Sequence, residues 1–186
     1  MTSLLGRYDA LTARLDAASP WAIPTLARLV FLAVFFFYFW NSATLKLDGL
    51  FTPTAGAFGQ MFPRAAEEVL YDLTQASFFQ KVVMVFGTWA EFALPLAIVV
   101  GIFTRLAALG MIGFILVQSL TDIYGHGLAG ADIGGWFDNV ASAAIVDQRT
   151  LWVFLMLVLI LRGAGPISVD ALVSAARNRL APTQPA

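Results

Sequence analysis

The stretch FQKVVMVFGTWAEFALPLAIVVGIFTRLAALGMIGFILVQSLTDIY, residues 79–124, contains two long apolar runs separated only by Thr104 and Arg105. Each run is long enough to cross a hydrocarbon layer of about 30 Å as a helix. A connection this short joins neighbouring helices that run in opposite directions. The stretch therefore predicts an antiparallel pair of membrane spans at about 79–103 and 106–124.

The composition of the whole chain is typical of a membrane protein. Of its 186 residues, 59% are hydrophobic and 12% are charged, and the mean hydropathy is +0.78. A soluble domain carries about 25% charged residues. Two further apolar runs lie at about 24–45 and 148–163, and the first is longer than the apolar part of a signal peptide, which has about 7–15 residues. The sequence thus predicts an all-α integral membrane four-helix bundle, a single domain over residues 1–186.

The fourth run is short for a span, and two explanations remain open. It either extends backward into ASAAIVDQ, residues 141–148, or lies in a thinned or tilted environment.

The distribution of Lys and Arg predicts the orientation of the bundle. One side holds seven Arg and the other holds four cations, and Lys and Arg are enriched on the cytoplasmic side of membrane proteins. Both termini are therefore expected in the cytoplasm. Residues 1–22 are predicted to form an amphipathic helix on the inner surface, and residues 167–186 a cytoplasmic tail. The two sets of cations are Arg7, Arg14, Arg28, Arg105, Arg162, Arg177 and Arg179 on the inner side, and Lys46, Arg64, Lys81 and Arg149 on the outer side.

Charge and rare residues exclude several functions. A net charge of −1 leaves no basic surplus for nucleic acid. Cysteine is absent from the sequence and histidine occurs once, at His126, which excludes disulfides, thiolate-bound iron–sulfur clusters and bis-histidine haem within one chain. No covalently bound cofactor and no metal site are expected. A redox role would need a diffusible quinone or a partner subunit as the electron carrier.

Glu91 is the acid that the apolar pattern does not explain. It lies about ten residues from the outer end of its span, and at 1.5 Å per residue this depth is about 15 Å, close to the bilayer midplane. An ionised acid at this depth costs at least about 3 kcal/mol, so such residues usually face the protein interior and pair. Two interpretations remain open: Glu91 exchanges protons, or it is a neutral acid that only bonds a neighbouring helix.

The same depth count places four more polar side chains in the outer half of the bundle: Tyr38, Asn41, Gln118 and Asp122. We expect them to form a polar, ligand-binding layer with Glu91. Gln118, Asp122 and His126 are also four residues apart, so they share a helix face if the third helix persists that far. The pattern is then equally compatible with two interpretations. Either this face forms a proton path, or His126 is simply exposed at the helix end.

Glycines and the inner turns have structural explanations. Gly87, Gly101, Gly110 and Gly113 are expected to allow the helices of the pair to approach closely. Arg105 is interpreted as a topology anchor. In RGAGPISVD, residues 162–170, the expected roles are a left-handed helix end at Gly163 or Gly165, a stop at Pro166, and a cap for the next helix from Ser168 with Asp170.

Four pieces of the sequence, in this order, resemble the DoxX family of small four-span membrane proteins. They are TLKL at 44–47, WAEFALPL at 89–96, GIFTRLAAL at 101–109 and RGAGPISVD at 162–170, and the resemblance covers about residues 26–170. Asn41 and Ser42 depart from the family, which often has glycine in this region. The resemblance implies a four-helix bundle in a bacterial inner membrane.

The resemblance also implies candidate functions, because some members are linked to quinone reduction, as in the membrane subunit of thiosulfate:quinone oxidoreductase. Others are associated with redox or envelope-stress complexes. The leading hypothesis is a quinone-interacting or redox-complex membrane subunit in which Glu91 exchanges a proton with the head group. The alternatives are a carrier or binding protein for a small hydrophobic or protonated solute, and a scaffold of an envelope complex. The expected partners are the lipid bilayer, a redox subunit and, for a carrier, a second copy of the chain.

Overall fold

The computed structural model describes residues 2–180, and within that range the chain is helical without a β-strand. Four helical stretches are long and apolar enough to cross a membrane, as the sequence predicts. The α-helices are α1 (Thr2–Phe31), α2 (Phe37–Thr44), α3 (Ala55–Met61), α4 (Pro63–Glu68), α5 (Phe78–Val100), α6 (Thr104–Leu120), α7 (Arg149–Arg162) and α8 (Val169–Leu180). Three π-helical segments continue the spans, at Leu32–Phe36, Thr121–Gly125 and Ala144–Gln148, and Gly130–Asp132 forms a short 3-10 helix.

The spans close into a ring. Helix α5 packs on α6, α6 on α7, α7 on α1, and α2 on α5. The centre is filled by buried side chains that include Phe31, Phe39, Ile98, Met111 and Met156. Large apolar side chains on the outer surface, such as Leu29, Phe86, Leu116 and Phe154, are more than half exposed. In a bilayer these side chains contact lipid tails, so their exposure carries no hydrophobic penalty.

The fourth span does extend backward, since Ala144–Gln148 is helical and continues into α7 to give a stretch of 19 residues. The third helix also persists, through Thr121–Gly125. The first span differs from the prediction, because residues 4–44 are one helical stretch with no boundary near residue 22. Pro20 does not break the helix there. Its missing N–H leaves the Asp16 carbonyl free, and the Ser19 hydroxyl donates to that carbonyl at 3.0 Å.

We call the end of the bundle that holds Arg28, the α5–α6 turn and α8 the Arg28 end, and the opposite end, which holds the long 45–77 connection, the loop end. At the Arg28 end the guanidinium donates to four backbone carbonyls. Nε reaches Ile98 at 2.9 Å and Nη1 reaches Ala164 at 2.9 Å. The other two carbonyls belong to Val99 and Ile167. Arg28 therefore satisfies carbonyls from α5 and from the segment after α7, which the helices themselves leave unpaired.

Asp170 and Ser168 connect the same end to α6 and α8. The Ser168 hydroxyl accepts from Ala171 N–H at 3.1 Å, so Ser168 caps α8. The Asp170 carboxylate accepts from the N–H groups of Phe103 and Thr104 at 2.8 and 2.9 Å. Ser168 therefore caps α8, whereas Asp170 caps the start of α6, where Phe103 is in the left-handed conformation and has no side-chain cap of its own.

The glycines after α7 have positive φ values, although Gly163 does not adopt the left-handed helical conformation that the motif predicts. Gly163 ends α7 with φ +77° and ψ −158°, and Gly165 has φ +75°. Pro166 follows in the exposed turn before α8. A side chain with a Cβ is strained at such positive φ values. Arg105 is exposed and lies beside Gly163, since a Cβ added to that glycine would come within 3.6 Å of Arg105 Nε.

Short helices cover the loop end. The Thr54 hydroxyl accepts from Ala57 N–H at 3.1 Å and begins α3. Ser77 and Gln80 form a reciprocal capping box at the start of α5. A second apolar cluster lies between these elements and the top of α5, built from Ala57, Phe58, Ala66, Ala76 and Met84. This cap holds the 45–77 connection against the bundle.

Candidate functional site

A cavity of about 870 Å³ opens at the loop end, between the first span, α5, α6 and the short helices. Its volume is within the usual range for small-molecule sites, about 300–1,000 Å³. Apolar side chains form part of its wall, among them Val83, Leu94, Phe114 and Val117. Its polar lining consists of Tyr38, Ser42, Lys46, Gln60, Glu91, Gln118, Thr121, Asp122, His126 and Arg149.

A buried ion pair lies deep in this cavity. Lys46 Nζ is 2.5 Å from Glu91 Oε2, and the two residues are 6% and 2% exposed. Glu91 lies near the middle of α5, and Lys46 follows the end of α2. The Lys46 backbone is fixed on both sides, because its N–H donates to Ala43 O at 3.1 Å and its carbonyl accepts from Thr54 N–H at 2.9 Å. This anchoring lets the long Lys46 side chain enter the bundle instead of water.

A second ion pair joins the π-helical continuation of α6 to α7. Arg149 is 8% exposed, and its Nη2 donates to Asp122 Oδ2. On the same face of α6, Gln118 Nε2 donates to the Tyr38 hydroxyl at 3.0 Å. The Tyr38 ring packs edge-on against Phe39 and Trp152, with centroid distances of 5.0 and 5.7 Å. These contacts hold the polar groups of three spans around one volume.

All three π-helical segments flank this cavity. Leu32–Phe36 immediately precedes the helix that carries Tyr38, Thr121–Gly125 contains Asp122, and Ala144–Gln148 is followed by Arg149. A π turn inserts an extra residue into a helix and is frequent at functional sites. Each span thus departs from α-helical geometry in or next to a segment that carries a cavity residue.

His126 lies at the outer mouth. It is exposed, and its Nε2 is 3.1 Å from the carbonyl oxygen of Gln60. The neighbouring Gly125 allows Pro63 of α4 to pack closely, since an added Cβ would come within 2.8 Å of that ring. The third helix thus leads from the interior to the surface, and His126 lies at its solvent-exposed end.

The structure brings together five of the six candidate site residues that the sequence indicates. Glu91, Tyr38, Gln118, Asp122 and His126 all line the cavity. Asn41 does not lie with them: it is exposed, and its carbonyl accepts from the Thr44 hydroxyl at 2.8 Å. The next residue, Ser42, lines the cavity instead. One helical position corresponds to a rotation of about 100°, so neighbours in sequence point in different directions.

The sequence prediction left Lys46 and Arg149 out of the site and counted them only as charges on the outer side. The sequence does contain a signal for buried cations. Two acids, Glu91 and Asp122, fall within the predicted spans, and only four cations are available on that side. Because buried acids require partners, two of the four could have been assigned to the interior. The TLKL motif points to Lys46 as one of them.

The charges that line the cavity are balanced. Lys46 and Arg149 oppose Glu91 and Asp122. Within residues 2–180, no group of three or more His, Cys, Asp or Glu side chains is close enough to hold a metal ion. The arrangement provides hydrogen-bonding groups and an apolar wall in one volume. Such a site suits a molecule with a polar head group and an apolar remainder.

Comparison of the chain with protein-family models, with curated proteins and with solved structures finds no match. The chemistry of the cavity and the order of the sequence motifs are therefore the observations from which a function can be inferred.

Proposed function

We propose that the chain is a DoxX-like multi-pass protein of a bacterial inner membrane that binds a quinone head group in the loop-end cavity, as the membrane subunit of a redox complex. The observation that carries the proposal is the buried Lys46–Glu91 pair at the inner end of this cavity. Glu91 exchanges protons with the head group through this pair.

The contacts between motifs support the DoxX-like assignment. Lys46 of TLKL pairs with Glu91 of WAEFALPL. Asp170 of RGAGPISVD bonds the N–H groups of Phe103 and Thr104 in GIFTRLAAL, and its own N–H donates to Gly101 O at 2.8 Å. The pieces that meet, 44–47 with 89–96 and 101–109 with 162–170, are far apart in sequence. Such contacts are expected if the four pieces form one structural unit.

The burial of two cations supports a cytoplasmic Arg28 end. Of the four cations at the loop end, Lys46 and Arg149 are buried in ion pairs, which leaves Arg64 and Lys81 outside the core, against six Arg at the other end besides the partly buried Arg28. The positive-inside bias is therefore stronger than the sequence count suggests. In this orientation both termini are cytoplasmic and the cavity opens toward the periplasmic side.

The lining fits a quinone. A quinone head group is neutral and offers carbonyl oxygens to hydrogen-bond donors, and Lys46, Arg149 and Tyr38 supply such donors. Its apolar tail can follow the wall and reach the lipid. The electrons come from a partner subunit, since the chain contains no cysteine and a single histidine.

The ion pair also suits the proton requirement of this chemistry. Reduction of a quinone by two electrons takes up two protons. The hydrogen-bonded Lys46–Glu91 pair holds one of them, which Glu91 passes to the head group through Lys46. The second proton, and the replacement for the first, come from water at the His126 mouth and pass along the α6 face that holds Asp122.

A binding role is better supported than alternating access to both sides. Beyond Glu91 toward the Arg28 end, the bundle interior is closed by fully buried side chains such as Ile98, Ala108 and Met111. A carrier would have to open this packed region. A site that exchanges its ligand with one side and with the lipid needs no such change.

The experiment is Glu91→Gln in the protein purified from membranes with its partners. We expect normal insertion but loss of quinone-dependent turnover, with a changed pH profile, because the amide cannot exchange a proton. The matched control is Glu67→Gln, which makes the same change at an exposed position of α4. Turnover and a pH profile equal to those of the wild type in Glu91→Gln would remove the proton role.

A further inference from the structure

Arg149 has more hydrogen-bond donors than the protein uses. Its side chain is only 9% exposed, and Nη2 bonds Asp122. The buried Nε and Nη1 atoms have no hydrogen-bond partner among the residues that the structure describes. Unpaired guanidinium donors are costly inside a protein, because they have left water without a replacement. Their position in the lining of the cavity indicates that a ligand supplies the missing acceptor.

A second unpaired polar atom lies within one helical turn of Asp122. Gln118 Oε1 is buried and has no partner in the described part of the chain, while its Nε2 bonds Tyr38. Because the Tyr38 hydroxyl can both donate and accept, the amide can turn either its oxygen or its NH2 group toward a ligand. Gln118 therefore adapts to the head group, whereas the guanidinium of Arg149 can only donate.

The balance of charge decides which acceptor fits. Lys46 and Glu91 compensate each other, and so do Arg149 and Asp122. An anionic ligand would add an uncompensated charge to a low-dielectric site. A neutral carbonyl or ether oxygen would satisfy the Arg149 donors without that penalty.

We propose that the loop-end cavity selects a neutral, oxygen-bearing head group on an apolar molecule, and that Arg149 is the residue that binds its acceptor oxygen. The proposal deepens the proposed function and rests on it for the location of the ligand. The inference about Arg149 also applies to ligands that take no part in redox chemistry. Val83, Leu94 and Phe114 form the apolar wall for the rest of the molecule.

The test compares three probes on the full-length protein in lipid nanodiscs: a decyl-substituted benzoquinone, the ketone 2-tridecanone and the anion dodecanoate. Dissociation constants are obtained from the ligand-induced rise in unfolding temperature. We expect both neutral probes to bind, and dodecanoate to bind about tenfold more weakly or worse. Arg149→Lys keeps the positive charge beside Asp122 but lacks the planar fork, and should weaken ketone binding about tenfold.

Arg149→Met combined with Asp122→Asn removes the ion pair as a unit and guards against misfolding from an unpaired acid. It should weaken ketone binding at least as much as Arg149→Lys. Arg64→Lys is the matched control, because Arg64 is an exposed loop-end cation outside the cavity lining. It should bind all three probes like the wild type.

The outcomes separate the two proposals. Ketone binding through Arg149 without quinone binding would overturn the quinone function and support the present inference. Quinone binding that is unchanged in both Arg149 variants would overturn the inference and leave the quinone function standing. Dodecanoate binding tighter than the ketone, or no binding of any probe, would overturn the inference.

Discussion

The two ends of the bundle use buried polar groups differently. At the Arg28 end, the charged side chains of Arg28 and Asp170 bond backbone carbonyls and N–H groups. At the loop end, Lys46 and Arg149 bond other side chains, beside a cavity. In the first arrangement the partners are fixed by the helix ends. In the second, the partners are side chains with further hydrogen-bonding capacity.

This difference separates structural from functional polarity. A guanidinium whose donors reach four carbonyls has little left for a ligand, and its role is to hold helices together. A guanidinium that uses one nitrogen on a carboxylate retains donors for a ligand. Both are arginines near a membrane boundary, so residue type and depth alone do not distinguish them. Their hydrogen-bond partners distinguish them.

The largest effect is expected at the deep ion pair. Lys46→Met leaves Glu91 buried without its partner and should lower the free energy of unfolding by about 3–5 kcal/mol. Replacing both, as Lys46→Met with Glu91→Leu, should recover most of this loss, because an apolar pair needs no compensation. Denaturant unfolding in detergent measures both variants. A double variant no more stable than the single one would show that the pair is not an isolated unit.

A loss nearly as large is expected at the other end. Arg28→Lys replaces a guanidinium that bonds carbonyls of α5 and of the segment after α7 with a single ammonium group. We expect a loss of about 3 kcal/mol, since carbonyls in two segments lose charged donors. Thermal unfolding checks this, and ligand binding at the loop end should be unchanged. Weakened ligand binding in a folded Arg28→Lys protein would break the separation of the two ends.

Much of the fold follows from the sequence, because the length and hydropathy of each span can be read directly from its residues. The turn at Gly163 and Gly165 is predictable for the same reason, since it depends only on neighbouring residues. The site is predictable only in part. Depth counting finds Glu91, Gln118 and Asp122, since each lies a countable number of residues from a recognisable end of its span.

The positions of Lys46, Arg149 and Asn41 are determined by features that depth counting cannot detect. Lys46 reaches the core because a loop anchors its backbone, whereas hydropathy assigns a lysine to water. Arg149 was placed outside because the start of its span is hidden in the weakly apolar segment 141–148. Asn41 was placed inside by its depth alone, and depth does not determine which face of the helix a side chain occupies.

A moderate, pH-dependent effect is expected at Asp170. Burial raises the pKa of this carboxyl, but the N–H groups of Thr104 and Phe103 and the charge of Arg28 outweigh it and hold the pKa below its usual 3.8. The stabilisation is therefore present above pH 3.8 and is lost as the pH falls through the lowered pKa. Asp170→Asn should cost about 1–2 kcal/mol at neutral pH.

The measurement is the unfolding temperature as a function of pH, in wild type and in Asp170→Asn. The two curves should converge on acidification, because both proteins then lack the charge. Parallel curves down to the acid limit would mean that Asp170 does not act through its carboxylate.

The smallest effect on stability, with a large effect on binding, is expected at Gly113. This glycine lines the cavity, and an added Cβ would meet no atom within 4 Å. The close helix contact expected there is thus absent, whereas Gly110 does pack against Leu94. Gly113→Leu should leave the unfolding temperature nearly unchanged, since leucine favours the helix, while its side chain fills the binding volume.

Gly6→Leu is the matched control for this variant. Gly6 also lies in a helix with no atom within 4 Å of an added Cβ, far from the cavity in α1. It should retain ligand binding. Equal binding by Gly113→Leu would show that the ligand lies elsewhere.

The three π turns also separate chain length from helix direction. Each holds one residue more than an α-helical turn would need. Deleting a single residue from Leu32–Phe36 would let the first span continue as a plain α-helix, and since the wider turn already absorbs the extra residue, the helices on its two sides would keep nearly the same relative rotation. Deleting a residue of α2 between Tyr38 and Ser42 would instead rotate everything on one side of the deletion by about 100° relative to the other. The span would still cross the membrane in both variants, but only in the second would Tyr38 and Lys46 lose their partners across the bundle, so we expect only this deletion to abolish binding.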